Sequence, residues 1–351
     1  AVPPRMLPYV LRVSRPRNRA VERLGRRFTR TGLDGVLADL DRRATPCPVP
    51  GEAAGDGFTW EERDREDRGW YPQGVAALRG GSVLLVSWYA KRRGLRTEGA
   101  RITVVDRGDP AAPRYRHVLL VAPHRLLGVL ALRAVPVHAG GIAVSGDLLL
   151  VADTISGLRV FRLADLARAP AADDSGPLGR LRAAAERLRG LRRADGGWVL
   201  PQLAACRTPL RAGRGRLRWS FLSVATGPEG PSLVVGEYRR AGGSPRLARY
   251  PLDPRTGLPA LDARGRCRPL EVHDRQPPGA WRRHRGVLPT GPEDLTWSRP
   301  GEELWSVSEW PGRRWVFPVA VDRLTRVPGQ ASPARASAAR TSSSGVAEKS
   351  P

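Results

Sequence analysis

The chain has 351 residues with 59 Lys and Arg against 34 Asp and Glu, a net charge of +25, and a hydrophobic content of 41%. That is enough to bury a sizeable core, and no run approaches the roughly 18 apolar residues of a membrane helix. The charge would suit a polyanion, but only Lys91 and Lys349 are lysine, the arginines are spread along the whole chain, and none of the familiar nucleic-acid motifs is present. Nucleic acid is therefore disfavoured as a partner, and a functional polyanion surface is kept as a minor reading.

The segment 1–50 opens "AVPPRMLPYV" with no initiator Met, which fits an exported product whose signal has been removed. Helical spacing follows in Val21, Leu24 and Phe28 and again in Leu33, Val36, Leu37 and Leu40, predicting short helices packed on a larger body. Residues 51–68 turn polar and glycine-rich and read as a connection. Residues 328–351, rich in Ala, Ser and Pro, read as a disordered tail.

Between them, residues 51–327 carry apolar runs of four to eight residues bounded by Gly, Pro, Asp or Ser, the pattern of an all-β domain. Four passages align by shape, with Val75, Ile142, Leu222 and Leu295 at matching positions. Each holds a strand, a second apolar strand ending at a large or acidic residue, and a third strand opened by arginine. Antiparallel sheets recurring in this way are the blades of a β-propeller. The length suggests five blades, within a range of four to six, the fifth drawn from Trp198 to Thr208 and Cys267 to Leu288. One interruption, 178–195, places Leu181, Ala184, Leu188 and Leu191 along one face and reads as an inserted amphipathic helix.

If the repeats are superposed around an axis, the second strands end at Trp88, Asp153, Glu237 and Glu309. The first strands enter at Gln73, His138, Glu293 and Asp294, with Tyr71 just before the first. Acids at one level of a ring either repel one another or share a cation or an arginine. The structural alternative is hydrogen bonding with the arginines Arg101, Arg159, Arg246 and Arg314, expected as partners between blades. His138 alone among the five histidines sits at a repeat entrance, a position suited to a general base. No nucleophile elbow, zincin motif, P-loop or dinucleotide fingerprint is present, which removes most of the case for triad hydrolases, zincins and nucleotide enzymes.

The phrases "WYPQGV", "LLVSWY", "RITVVD", "VHAGGI", "LLVADT", "LVVGEY", "GPEDLTW" and "LWSVSEWPGRRWVF" together resemble a family of uncharacterised secreted actinobacterial β-propellers over about Phe58 to Val321. The resemblance implies the fold and an extracellular or cell-envelope location, and implies no activity. Members often carry a cysteine at the position of Thr59, so Cys47 lacks that partner here. Of the three cysteines, Cys47, Cys206 and Cys267, the last two are the preferred pair if a disulfide forms.

The expected function is a monomeric binding propeller. Asp153, Glu237, Glu293, Asp294 and Glu309 form its acidic funnel, and Tyr71, Gln73 and Trp88 add contacts. It would take a cationic or polyhydroxylated ligand, or a divalent cation such as calcium. A hydrolase or lyase using His138 with Asp153 or Glu237 is the alternative, and an arginine surface binding anionic cell-wall polymer or lipid is the third.

Overall fold

The computed structural model describes residues 9–14, 16–26, 28–91, 99–126, 129–155, 157–169, 197–208, 217–237, 246–273, 286–299 and 302–324. The helix expected at 178–195 and the tail at 328–351 lie outside the described residues. Within them the protein is an all-β propeller with short helices at its N-terminal side.

Four antiparallel blades follow one another along the chain. Blade 1 holds Trp70–Leu78, Val83–Ala90, Ala100–Asp106 and Arg114–Leu126. Blade 2 holds Ile142–Ser145, Leu148–Asp153 and Gly157–Arg162. Blade 3 holds Trp219–Gly227, Gly230–Glu237 and Leu247–Pro251. Blade 4 holds Pro292–Trp297, Leu304–Ser308 and Trp315–Val319. Val75, Ile142, Leu222 and Leu295 all fall on the first strand of a blade. The first strand of blade 1 packs against those of blades 2 and 4, and that of blade 2 against that of blade 3.

The segments expected to build a fifth blade do something else. Trp198–Arg207 runs parallel to Arg114–Leu126 from Trp198 to Pro201, then turns to pair antiparallel with Gly157–Arg162 from Gln202 onward. One strand thereby staples the outer edges of blades 1 and 2. Arg266–Cys267 pairs with Leu11–Val13, which in turn pairs with Cys206 and Arg207. Glu271–His273 becomes the outer strand of blade 3. These residues cover edges that would otherwise present unpaired backbone groups, so the described residues form four blades, the low end of the expected range.

The supposed connection 51–68 also contains structure. Gly57–Thr59 pairs with Trp315 and Val316, and Thr45–Cys47 adds beyond it, so the N-terminal side of the domain completes its last blade. Thr59 Oγ1 donates to the Arg314 carbonyl at 2.7 Å, fastening this closure. All three cysteines are free, and the preferred pair is not formed: Cys206 lies opposite Val13 and Cys267 opposite Leu11, on strands flanking the same Leu11–Val13 segment.

Packing between blades explains the continuous apolar runs. Blade 1 has a neighbour on each side, so Val83–Ala90 is buried on both faces, and period 2 sends alternate residues to opposite neighbours. Leu85 joins Ile102, Val104, Ile142, Leu149 and Val151 toward blade 2. Leu84, Val86 and Trp88 join Phe58, Trp60, Trp305 and Val307 toward blade 4. A third core, with Leu150, Ala152, Val160, Leu222, Leu233, Val235 and Tyr250, joins blades 2 and 3. Helix Asn18–Gly25 buries Val21 and Leu24, and Leu24 and Phe28 pack with Val121, Leu132 and Val199.

The stretch "HAGG" before blade 2 is where backbones come closest. A Cβ on Gly141 would lie 2.5 Å from Phe221 Cα, one on Gly140 would strike the Ser220 carbonyl, and one on Gly74 would lie 2.7 Å from the Ile142 nitrogen. Three first strands thus meet main chain to main chain, which only glycine permits. Gly141→Ala should cost about 1–3 kcal/mol, because rigid backbone must move. Gly227→Ala, with nothing within 4 Å of its Cβ, should stay within about 0.5 kcal/mol; urea unfolding of the two variants checks the contrast.

Candidate functional site

Asp294 is buried, 5% exposed, on the first strand of blade 4. Its Oδ2 accepts the backbone N–H of Val75 at 3.1 Å and of Ile142 at 3.4 Å, so one carboxyl ties the first strands of blades 4, 1 and 2. Burial pushes its pKa up to about 8, against the opposing pull of those N–H donors. The next residue outward on the same strand, Glu293, reaches solvent.

Around Glu293 the chain gathers a cluster of polar and aromatic side chains, the mouth cluster. Gln73, 1% exposed, donates its Nε2 to Glu309 Oε2 at 2.8 Å and to the Pro72 carbonyl at 2.9 Å. Glu293 and Glu309 are near neighbours, and desolvation raises both above the ordinary glutamate range, with their mutual repulsion adding to the shift at Glu293. Two carboxyls so placed favour sharing one proton over ionising together. Beside them lies an aromatic wall. Tyr71 stacks on Tyr89 with centroids 5.5 Å apart, Tyr89 stacks on the His138 imidazole at 4.1 Å, and Trp310 meets Tyr71 edge-on at 6.3 Å. Trp310 is 45% exposed. Burial, and next Glu309, push Tyr89 up to about 12, so its hydroxyl stays protonated. His138 is lowered by partial burial and by Arg218, so at neutral pH its ring is uncharged. The residue after it, Ala139, has φ +52, a left-handed backbone uncommon outside glycine, and Ser87 Oγ donates to its carbonyl at 2.8 Å.

The other expected acids do not join this mouth. Asp153 is buried and bound by Arg159, with Arg159 Nη2 at 2.7 Å and Nε at 2.8 Å from Oδ2. Glu237 is buried and bound by Arg246 through a two-pronged contact at 2.6 and 2.7 Å, and it also accepts the Arg218 N–H. Each pair lies within one blade, between its second and third strands, rather than between blades as expected. Trp88 is wholly buried against Trp60 at 5.1 Å, with the guanidinium of Arg101 4.7 Å from its ring, so it offers a ligand no surface. Among the described residues no group of three His, Cys, Asp or Glu side chains could hold a metal ion.

One buried polar cluster was not anticipated. Asp64 accepts the Tyr115 hydroxyl at 2.7 Å, lies 3.1 Å from His117 Nε2 and 3.5 Å from Arg101, and pairs with Arg42. Thr103 Oγ1 lies 2.7 Å from His117 Nδ1. His117, Arg101 and Arg42 together hold Asp64 far below the ordinary carboxylate range despite its burial, while desolvation first and Arg101 second lower His117 to about 3 and keep it uncharged. This cluster binds blade 1 to the segment leading into it. Tyr115 and His117 share a face at period 2, which the sequence does reveal; nothing marks Asp64 within "EERDRED".

No family model and no curated protein matches the sequence. Among solved structures, the chain is similar to the glutaminyl cyclase of Myxococcus xanthus at 13% identity, covering 80% of this chain and 94% of that one, with a TM-score of 0.31. It is similar to the periplasmic gluconolactonase PpgL of Pseudomonas aeruginosa at 14% identity, covering 79% and 81%, with a TM-score of 0.27. Likeness of this degree assigns no substrate or mechanism, so the site is read from its own geometry.

Asp294 yields a prediction with a definite sign. Its raised pKa means the folded protein favours the protonated acid, so its contribution is fully present below about pH 4 and is lost as pH climbs toward about 8. Asp294→Asn keeps an acceptor and removes that loss. The unfolding free energy of Asp294→Asn relative to the unsubstituted protein should therefore rise between pH 5 and 8 by on the order of 2 kcal/mol. Asp294→Ala strands two buried N–H groups and should cost about 2–4 kcal/mol at pH 5, a cost that shrinks toward pH 8 as the unsubstituted protein loses the contribution of its protonated acid. Urea titrations at several pH values read both effects.

Proposed function

We propose that the protein binds a polyhydroxylated ligand at the mouth formed by blades 4, 1 and 2. The observation that carries this reading is the pairing of an aromatic wall, Tyr71, Tyr89, His138 and Trp310, with a carboxyl pair and a buried amide in one place. Aromatic faces contact the apolar side of a sugar-like ring, while a protonated and an ionised carboxyl together donate to one hydroxyl and accept from another. A cationic ligand is the weaker half of the original expectation. Asp153 and Glu237 are already neutralised by arginine, and the Lys91 Nζ 5.6 Å from the Tyr71 ring centre and the Arg314 guanidinium 5.3 Å from it add positive charge beside the acids. We read the protein as an exported member of the actinobacterial propellers whose phrases it shares, a reading supported by its sequence.

A hydrolase or lyase is the second reading, favoured by one observation. The left-handed backbone at Ala139 is stored strain of the kind found at working sites, and it holds an uncharged imidazole within the same aromatic wall as a carboxyl that carries a proton. His138 would take a proton and the Glu293–Glu309 pair would give one.

Calorimetric titration against a panel of neutral, acidic and cationic sugars tests both. Glu309→Gln and Trp310→Ala should each weaken binding of the best ligand about tenfold or more, as expected for a lost charged hydrogen bond or a lost stacking surface. Asp153→Asn should leave affinity within about twofold while lowering stability. Unchanged affinity in both mouth variants would remove the mouth as the binding site. His138→Phe separates the readings, because it keeps a flat ring in the wall and removes the imidazole base: it should abolish turnover in an enzyme and leave most of the affinity of a binder.

A further inference from the structure

The carboxyl pair at the mouth is not symmetric, and the asymmetry comes from Gln73. Its Nε2 lies 2.9 Å from the Pro72 carbonyl, which can only accept, so the nitrogen rather than the oxygen must occupy that position. The same nitrogen is 2.8 Å from Glu309 Oε2, so both amide hydrogens are committed and Glu309 is the acceptor. The amide oxygen of Gln73, in a side chain 1% exposed, takes no hydrogen bond among the described residues.

Arg314 reinforces the bias. Its guanidinium is fixed by the carbonyls of Glu309, Asp64 and Trp70 and its charge favours the ionised form of Glu309. Glu293 has no such support. It has Glu309 and Tyr89 of blade 1 as electrostatic neighbours and sits beside the buried Asp294 on its own strand.

We propose that Gln73 is a positioning residue that makes Glu309 the standing carboxylate and Glu293 the proton donor facing an incoming oxygen. The inference rests on the mouth as the ligand site and assigns a role to each carboxyl within it. Glu293, at the solvent edge, donates its O–H to a ligand oxygen. Glu309 and the unused oxygen of Gln73 accept from ligand hydroxyls. The ligand class narrows accordingly to neutral compounds with adjacent hydroxyl groups, since a ligand carboxylate would meet Glu309 and a ligand ammonium would find the donor Glu293 of the wrong kind.

The test is made on the ligand-free full chain. Carboxyl-carbon NMR of glutamate-labelled protein is followed from pH 4 to 10, and the two signals are identified by their loss in Glu293→Gln and in Glu309→Gln. The signal lost in Glu309→Gln should already be at its ionised position at pH 6. The signal lost in Glu293→Gln should titrate well above the ordinary glutamate value of about 4.3. In Gln73→Leu the Glu309 signal should move toward the protonated position and that of Glu293 toward the ionised one.

The opposite assignment, or both carboxyls titrating at ordinary values, overturns the inference, and the unsubstituted protein decides this even if Gln73→Leu does not fold. Because no ligand is added, the measurement is independent of the binding reading. A confirmed asymmetry with affinity indifferent to both Glu309→Gln and Trp310→Ala would reject the mouth as the binding site and leave the proton assignment standing.

Discussion

The carboxyl of Asp294 is the constraint on which the centre of the molecule depends. Sheets joined only through side-chain packing can slide or tilt relative to each other, because dispersion contacts have little directional preference. A carboxyl accepting main-chain N–H groups from two other blades fixes three first strands in register at one point. The glycines at 74, 140 and 141 belong to the same constraint. Gly74 lets the first strands of blades 1 and 2 approach until those N–H groups come within reach of one oxygen, Gly140 and Gly141 admit the first strand of blade 3 against that of blade 2, and a side chain at any of them would hold the backbones apart. Burial makes this costly, as the upward pull on Asp294 shows, and the cost is set against strand geometry that then positions Gln73, His138 and Glu293 around the same point.

Farther out, blades 2 and 3 are each held by a buried charge pair of their own, and these pairs serve a different purpose. Asp153 with Arg159 and Glu237 with Arg246 each close the end of a second strand onto the start of the third. A buried pair of this kind adds little net stability compared with apolar residues of the same volume, but losing one partner is severe. Its use is in orientation: it fixes the strand ends that lead into the connecting loops. In blade 1 the same task falls to Arg101, lying over Trp70 and Trp88 and drawn toward Asp64 from outside the repeat.

Much of this architecture is legible in the sequence, for an identifiable reason. The first, second and third strands of every blade are local in the chain, with apolar runs interrupted by turns, and the four matching residues Val75, Ile142, Leu222 and Leu295 all fall where the pattern puts them. The outer strands are not legible, because their pairing partners lie far away. Trp198–Arg207 divides itself between two blades, and Gly57–Thr59 pairs with residues more than 250 positions later. A short polar segment such as "DGFTW" has no periodicity to declare that it is a strand. The site was half visible on the same grounds. Tyr71, Gln73, His138, Glu293, Asp294 and Glu309 could be grouped because they sit at equivalent strand ends, while Tyr89 and Trp310 entered only through ring stacking that sequence does not encode.

What separates the mouth from its structural counterparts is the fate of one arginine. The third strands of blades 2, 3 and 4 open at Arg159, Arg246 and Arg314, and their second strands end at Asp153, Glu237 and Glu309. In two blades the arginine grips the acid. In blade 4 the guanidinium is instead taken by three backbone carbonyls, those of Glu309, Asp64 and Trp70. Its hydrogen bonds go to main chain, so the Glu309 carboxyl turns toward Gln73 and Glu293. Asp64 is thus connected to the mouth without touching it: its side chain gathers Arg42, His117 and Tyr115 while its carbonyl holds the arginine away from the acid. A repeat that elsewhere yields a neutralised pair yields, by this diversion, a carboxyl not gripped by its own arginine, at the blade where a closing segment from the other end of the chain supplies the competing acceptor.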